Sequence, residues 1–385
     1  MHYLSLTWLA WMGGAFSLYW TLPDRWRNHG LVAVTAAFLA VHSWPSLVIL
    51  AGFTVGLYAA TRTETLDGRR SLAVAAALIG VLAIYKTRIT PGSGDLMGDV
   101  RDVAIPLGLS YYTFRCLHYL LERYKNHLPA HTFSELAGYL FFLPTIVVGP
   151  IHRFPDFVRD RRRKRWDGRA LYEGGERIVH GYAKIAILGN WLVSDQMARW
   201  IAGIGPGNDA LVAYLTMVQH GLNLYFQFSG FSDVAIGFAR TLGYRVMENF
   251  RWPFLQKNIS AFWRSWHISL SSWCREYVYR VVLSLTRSPA LAAILTLLVI
   301  GLWHEISPRY LMWGLYQGIG VVLWQQFQRF KVWLPEVRGT VAQHLRDAVC
   351  IALTVNYFWF GFAIVGQPDL ASTLELYRTI LLFWW

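Results

Sequence analysis

Apolar runs long enough to cross a bilayer as helices recur along almost the whole chain. About 20 such residues suffice for one crossing. Of the 385 residues, 55% are hydrophobic and 16% aromatic, while only 15% are charged; an ordinary soluble domain carries about 25% charge. The expected fold class is therefore all-α, a polytopic integral membrane protein.

The apolar segments fall near residues 2–22, 31–60 (divided at Pro45), 71–85, 103–121, 136–151, 178–201, 210–228, 232–242, 291–304, 311–327, 348–365 and 374–385. This pattern predicts about 11 to 13 helices. Segments 71–85 and 232–242 fall short of the roughly 17 residues a crossing needs, which predicts short re-entrant or interfacial elements around a recess. Partial helices persist at membrane depth only where protein or a water-filled cavity satisfies their backbone. No internal repeat and no Pro- or Ser-rich linker divides the chain, so residues 1–385 are expected to form one domain. The first apolar segment lacks a basic lead-in and a small-residue cleavage site, and reads as a retained helix.

The net charge of +13 does not point to nucleic acid, because the basic residues cluster in short segments between apolar runs, as cytoplasmic loops do. The densest cluster, Arg-Asp-Arg-Arg-Arg-Lys-Arg at 159–165, reads as a loop against anionic headgroups. Cys116, Cys274 and Cys350 are odd in number and far apart, so neither a disulfide framework nor a metal site is expected.

Residues 249–284 mix Arg251, Lys257, Arg264, Arg275 and Arg280 with Trp252, Trp263, Trp266 and Trp273. Trp interleaved with Arg and Lys is an interfacial signature; the segment is expected to lie at or dip into one membrane face, with one side on a cavity. It carries His267. A second histidine, His304, ends an uncharged run in Gly-Leu-Trp-His, just ahead of Pro308. An ionisable ring at bilayer depth is costly and marks a functional site by default. If residues 262–274 are one helix, Trp263, His267, Ser271 and Cys274 share a face, with Arg264, Ile268 and Arg275 opposite. Two imidazoles could serve acyl transfer, one taking the proton of an attacking hydroxyl while the other orients the reactants. There is no Gly-x-Ser-x-Gly elbow, Walker A loop or His-Glu-x-x-His. The other histidines read as packing or interfacial residues, and spacing alone leaves His267 and His304 evenly balanced between packing and chemistry.

Several motifs then resemble the bacterial branch of the membrane-bound O-acyltransferase family. They are Pro-Leu-Gly-Leu-Ser-Tyr-Tyr-Thr-Phe (106–114), Phe-Leu-Pro-Thr-Ile-Val-Val-Gly-Pro-Ile (142–151), Leu-Tyr-Phe-Gln-Phe-Ser-Gly-Phe-Ser-Asp (224–233), Glu-Asn-Phe (248–250), Phe-Trp-Arg-Ser-Trp-His-Ile-Ser-Leu-Ser (262–271), Gly-Leu-Trp-His (301–304) and Trp-Gly-Leu-Tyr-Gln-Gly (313–318). The resemblance covers about residues 106–318. It implies a many-helix fold around a membrane-embedded tunnel, with His304 as the essential catalytic residue and His267 as its partner. Trp263, Arg264, Trp266, Ser271, Asn249, Gln227, Asp233 and Trp303 are the candidate substrate- or tunnel-lining residues. For Asp233 a structural ion pair with Arg240 or a later arginine is favoured over a catalytic role. Two residues depart from the family pattern: Gln227 stands where relatives commonly have Asp, and Glu305 where they have Gly.

The resemblance also implies the partners. The donor is acyl-CoA or an acyl group on a carrier-protein phosphopantetheine, with no cofactor held permanently. The acceptor is an envelope or secreted polysaccharide, reached directly or through a periplasmic or extracytoplasmic acyltransferase partner, and the location is the bacterial cytoplasmic (inner) membrane. Acetyl transfer is the first expectation and D-alanyl transfer to teichoic acid or a related polymer the alternative. A haem-binding electron carrier and a glycan-lipid transporter are the remote readings; a Soret band would mark the former.

Overall fold

The computed structural model describes residues 5–62, 66–87, 106–163, 166–330 and 339–381. Among them the chain is helical almost throughout, without strands. In chain order the helices are α1 (Leu6–Thr21), α2 (Asp24–His42), α3 (Trp44–Thr61), α4 (Gly68–Thr87), α5 (Leu109–Tyr124), α6 (Phe133–Leu140), α7 (Phe154–Arg162), α8 (Gly168–Ala183), α9 (Ala198–Ala202) and α10 (Asp209–Thr241). After these come α11 (Ile259–Ser265), α12 (Ile268–Cys274), α13 (Arg280–Thr286), α14 (Pro289–His304), α15 (Pro308–Phe330), α16 (Thr340–Gly366) and α17 (Leu370–Leu381). Among the described residues, Trp44–Thr61, Gly68–Lys86 and Thr340–Gly366 are long and apolar enough to cross a membrane. Large apolar side chains stay uncovered on them, Val48 and Val55 at 58% and Leu353 at 67% exposure, as a lipid-facing surface requires. The protein is a multi-pass membrane protein.

Two compact units are present, one of Met1–Tyr182 with Gly230–Glu248 and one of Ala183–Ser229 with Asn249–Trp385. In the first, buried polar groups sew helices together. Thr35 Oγ1 donates to the carbonyls of Leu31 and Phe141 at 2.8 and 2.7 Å. Phe142, Phe157 and Tyr244 form an aromatic core, with Phe157 stacked on Tyr244 at 4.9 Å. Three arginines of the basic stretch reach acids of the same unit: Arg159 meets Asp156 at 2.6 Å, Arg161 meets Asp24 at 3.3 Å and Arg162 meets Glu135 at 2.8 Å. Burial works to raise the Glu135 pKa, but hydrogen bonds from Arg162 and the Thr132 N–H outweigh it and hold the carboxyl below its usual range.

Several expected boundaries are corrected. The segment expected at 71–85 belongs to a longer helix, α4, long and apolar enough to cross a membrane. Segments 210–228 and 232–242 are one helix, α10, with no break at Gly230. A lone glycine weakens a helix by only about 1 kcal/mol, and here it has a packing use. A Cβ on Gly181 would lie 2.7 Å from the Gly230 carbonyl, and one on Gly237 would lie 2.6 Å from the Gly174 carbonyl. Glycines seven apart on α8 thus face glycines seven apart on the C-terminal part of α10, in antiparallel order, and the two backbones touch. The helix expected over 136–151 instead ends at Leu140, followed by a 3₁₀ turn at Leu143–Thr145; Pro144 cannot donate to a continuing helix. The segment at 178–201 lies in an unbroken run that passes into π geometry over Lys184–Met197. The helix break expected at Pro45 falls at Ser43, with the proline in the first turn of α3. Residues 103–105 and 382–385 of the expected segments lie outside the described residues.

In the second unit α14 and α15 are held at backbone distance. A Cβ on Gly301 would run into the Tyr310 carbonyl, and one on Gly314 would come 2.7 Å from the Leu297 carbonyl. This closeness sets where the end of α14 meets the start of α15.

The glycine contact between α8 and α10 predicts that Gly237→Leu, which must push two backbones apart, destabilises the protein by about 1–3 kcal/mol. Gly175→Ala, whose added Cβ meets nothing within 4 Å, should leave it unchanged or slightly more stable. Thermal unfolding in detergent reads both; equal Tm values would remove the helix contact as a stabilising feature.

Candidate active site

The segment from Asn249 to Cys274 is not one helix. Asn258 caps α11, its side chain accepting the Ala261 N–H at 2.8 Å. The helix stops at Ser265, Trp266 is extended, and His267 is left-handed at φ 44°, ψ 53° before α12 begins. A non-glycine residue in that region costs about 1–2 kcal/mol and persists only where its surroundings impose it. Those surroundings are visible. The Asn249–Arg251 stretch lies along the break, with the Arg251 N–H donating to the Ser265 carbonyl and the Ile268 N–H to the Asn249 carbonyl, each at 2.9 Å. Ser271 Oγ donates to the Trp266 carbonyl at 3.1 Å.

This break corrects the expected common face of Trp263, His267, Ser271 and Cys274. A cavity of about 630 Å³ takes Trp263 and Ser271, but also Arg264, Ile268 and Arg275, which a continuous helix would have put opposite. Arg251 joins them, and Ala293, Leu297, Ile300 and Val321 from α14 and α15 supply an apolar wall. The cavity is thus greasy on one side and carries three guanidinium groups on the other.

The His267 ring is 3% exposed. It packs edge-on against Phe228 at 4.7 Å and Trp303 at 6.0 Å. Its Nδ1 lies 3.3 Å from Asn249 Oδ1, while Nε2 is buried and meets no hydrogen-bond partner. His304 ends α14, as expected. Its ring lies 4.4 Å from Trp303, stacks on Tyr310 at 5.6 Å and meets the edge of Trp313 at 5.9 Å. The two imidazoles therefore pack on one indole, Trp303. Neither is among the residues lining the large cavity, although Ile268 and Ile300, which are, sit beside His267 and one turn from His304.

The other candidates separate. Asn249 is fully buried and bonded to the His267 turn. Trp266 belongs to an aromatic cluster, with Phe262 at 5.6 Å, Phe250 at 5.1 Å and Phe358 at 4.8 Å, and does not line the cavity. Gln227 donates to Asn190 Oδ1 at 2.7 Å; its ring-bearing neighbour Phe228 is what touches His267. Asp233 lies in the other unit, where Arg177 holds it at 2.6 Å and also reaches Glu248 at 2.5 Å. Its expected partner Arg240 binds Glu173 instead, at 2.8 Å. Glu305 is engaged by Arg309, one turn on, at 3.2 Å. Sequence reasoning missed Tyr310 and Gln317. The latter is fully buried and accepts the Trp263 indole N–H at 3.3 Å; a polar residue between the apolar turns of α15 was the available signal.

Comparison with known proteins gives a consistent neighbourhood. Residues 85–345 match the model of the membrane-bound O-acyltransferase family. A Pseudomonas aeruginosa protein named "Probable alginate O-acetylase AlgI" is 30% identical over 328 residues, covering 80% of this chain and 62% of that protein. The teichoic acid D-alanyltransferase of Bacillus subtilis is 31% identical over 284 residues, 68% of this chain and 69% of the relative. The peptidoglycan O-acetyltransferase of Helicobacter pylori is 26% identical over 313 residues, 71% of this chain and 56% of the relative. The chain spans only about 62% of the length of the alginate relative it matches.

The left-handed turn separates backbone demands from ring chemistry. His267→Asn, a residue that tolerates this conformation, should stay folded, whereas His267→Val, branched at Cβ, should be less stable than His267→Asn by about 1–2 kcal/mol. Comparable Tm values for the two would mean that the turn is not strained.

Proposed function

Because the chain belongs to the membrane-bound O-acyltransferase family, we propose that it moves an acyl group, acetyl in the first instance, from a cytosolic thioester to a hydroxyl of an envelope or secreted polysaccharide. Transfer is direct or through a periplasmic or extracytoplasmic acyltransferase partner, and the protein works in the bacterial cytoplasmic membrane. His304 and His267 are the catalytic pair. The observation that carries this reading is their packing on one indole, Trp303, beside a cavity with an apolar wall and three arginines.

Each part has a use in the reaction. Guanidinium groups suit the phosphates that both acyl-CoA and acyl-phosphopantetheine carry, because their forked N–H groups match phosphate oxygens. The apolar wall suits the uncharged arm and acyl group that follow. An imidazole near the thioester takes the proton of the incoming hydroxyl and returns it to the leaving thiol, help worth about 10²- to 10⁴-fold in rate. Trp263 and Ser271 line the donor's path, and Trp303 holds the two imidazoles in one place. D-alanyl transfer from a carrier protein remains a second reading, favoured by the more even coverage of the Bacillus subtilis relative.

Membrane vesicles containing the protein, given labelled acetyl-CoA and in parallel a labelled D-alanyl carrier thioester, distinguish the two readings by which label reaches polymer. His304→Ala should lower the rate by about 10²-fold or more, and Arg264→Glu should raise the KM for donor with a smaller effect on kcat. Unimpaired transfer by folded His304→Ala would overturn the mechanism.

A further inference from the structure

We propose that the end of α3 carries a binding site for an anionic phospholipid, with the lipid phosphate held by Arg62 and Arg123 and an acyl chain lying along α3. The site belongs to the first unit and stands apart from the acyl-transfer reading.

The head of the site is a cavity of about 280 Å³ where α3, α5 and the connection from α5 to α6 meet. Arg62 and Arg123 line it with Tyr58, Thr61, Tyr119 and His131, and among the described residues no carboxylate does. Glu122, next to Arg123 in the chain, is drawn instead to Lys125 at 3.0 Å and His127 at 3.2 Å. Two guanidinium groups on one volume with no acid lining it favour an anion, and their forked N–H groups match phosphate oxygens. The walls are held by the protein itself. Arg123 Nε donates to the Thr61 carbonyl at 3.1 Å, at the negative end of the α3 dipole. The Pro129 carbonyl can only accept, so His131 Nδ1 donates to it at 2.8 Å, and Nε2 accepts the Tyr119 hydroxyl at 2.7 Å. Arg162 reaches the neighbouring Ala130 carbonyl at 2.5 Å.

The tail of the site lies on α3. Trp44, Val48, Gly52, Val55 and Ala59 are all exposed and recur every three or four residues, so they form one stripe. Arg62, which keeps helical geometry at the C-cap, ends that stripe. The opposite face, with Ser46, Leu50, Thr54, Leu57 and Thr61, is buried. A Cβ on Gly52 would meet nothing within 4 Å, which leaves a shallow groove beside Val48 and Val55. One leaflet, roughly 15 Å of hydrocarbon, corresponds to about ten helical residues, the stretch from Arg62 back to Gly52.

Charge selects the lipid. Arg62, Arg69 and Arg70 flank the short connection from α3 to α4, the kind of loop that the positive-inside bias keeps cytoplasmic, and basic pockets between helices on that face suit anionic headgroups. A choline or ethanolamine headgroup would bring its ammonium up to two guanidinium groups, whereas a glycerol headgroup adds no positive charge to the phosphate.

The test uses the full-length protein in neutral detergent, stripped of lipid, with Tm read as phosphatidylglycerol, phosphatidylcholine or inorganic phosphate is added. A ligand that binds only the folded state stabilises it, so phosphatidylglycerol should raise Tm well above the effect of the other two. Arg62→Glu should weaken phosphatidylglycerol binding by about 10- to 30-fold while its Tm in detergent alone is kept. Arg25→Glu, the same charge change at the exposed start of α2, should leave binding unchanged. Equal stabilisation by the two lipids, or by inorganic phosphate, overturns the lipid assignment. Unchanged binding by Arg62→Glu, or an equal loss in both variants, which would mark bulk surface charge, does so as well. Native mass spectrometry of the wild-type protein needs no variant: with both lipids offered at equal concentration, preferential retention of phosphatidylglycerol is expected, and equal retention overturns the proposal.

Discussion

A helix interrupted inside an apolar interior leaves N–H and C=O groups that no water can reach, and each costs free energy unless the protein itself supplies a partner. The interruption between α11 and α12 is such a place. It is closed by Asn249 and Arg251, whose main chains pair with Ile268 and Ser265, and by Ser271, which returns to the Trp266 carbonyl. That pairing accompanies the left-handed backbone of His267, and the residues that follow are redistributed between cavity and core. The strained backbone and the candidate chemistry occupy the same residue, as stored strain at functional sites often does.

Close backbone packing does the rest of the positioning. Gly301 and Gly314 let α14 and α15 meet without side chains between them, so His304, at the last turn of one helix, is pressed against Tyr310 and Trp313 of the other. In the first unit the facing glycines of α8 and α10 act in the same way. Among lipid-exposed helices such contacts carry much of the association, because hydrocarbon offers no hydrophobic drive to separate lipid from helix. The arginine–acid pairs at Arg161–Asp24 and Arg162–Glu135 strap part of the basic stretch to neighbouring elements.

The cavity and the histidine pair divide the work that acyl transfer would require. Under the proposed function, three arginines and an apolar wall would meet the two halves of a phosphate-bearing thioester arm. The imidazoles, packed on Trp303, are not among the residues that line that cavity.

Much of this was written in the linear chain. Its apolar runs determined membrane residence and an all-helical backbone, because hydrocarbon admits few other ways to satisfy peptide groups, and the Trp-His pairs marked where ionisable rings sit against that rule. Local pattern could not show that His267 breaks a helix, since nothing in Phe-Trp-Arg-Ser-Trp-His-Ile is a glycine or proline, and the break depends on Asn249, eighteen residues away. Nor could it show that Gly230 would be spanned without interruption, that Asp233 would choose Arg177 over Arg240, or that Gln317 would hold Trp263. Those choices belong to the tertiary structure, for a physical reason: each is settled by a partner brought close only when helices pack, and a short-range reading of period and propensity has no term for that partner.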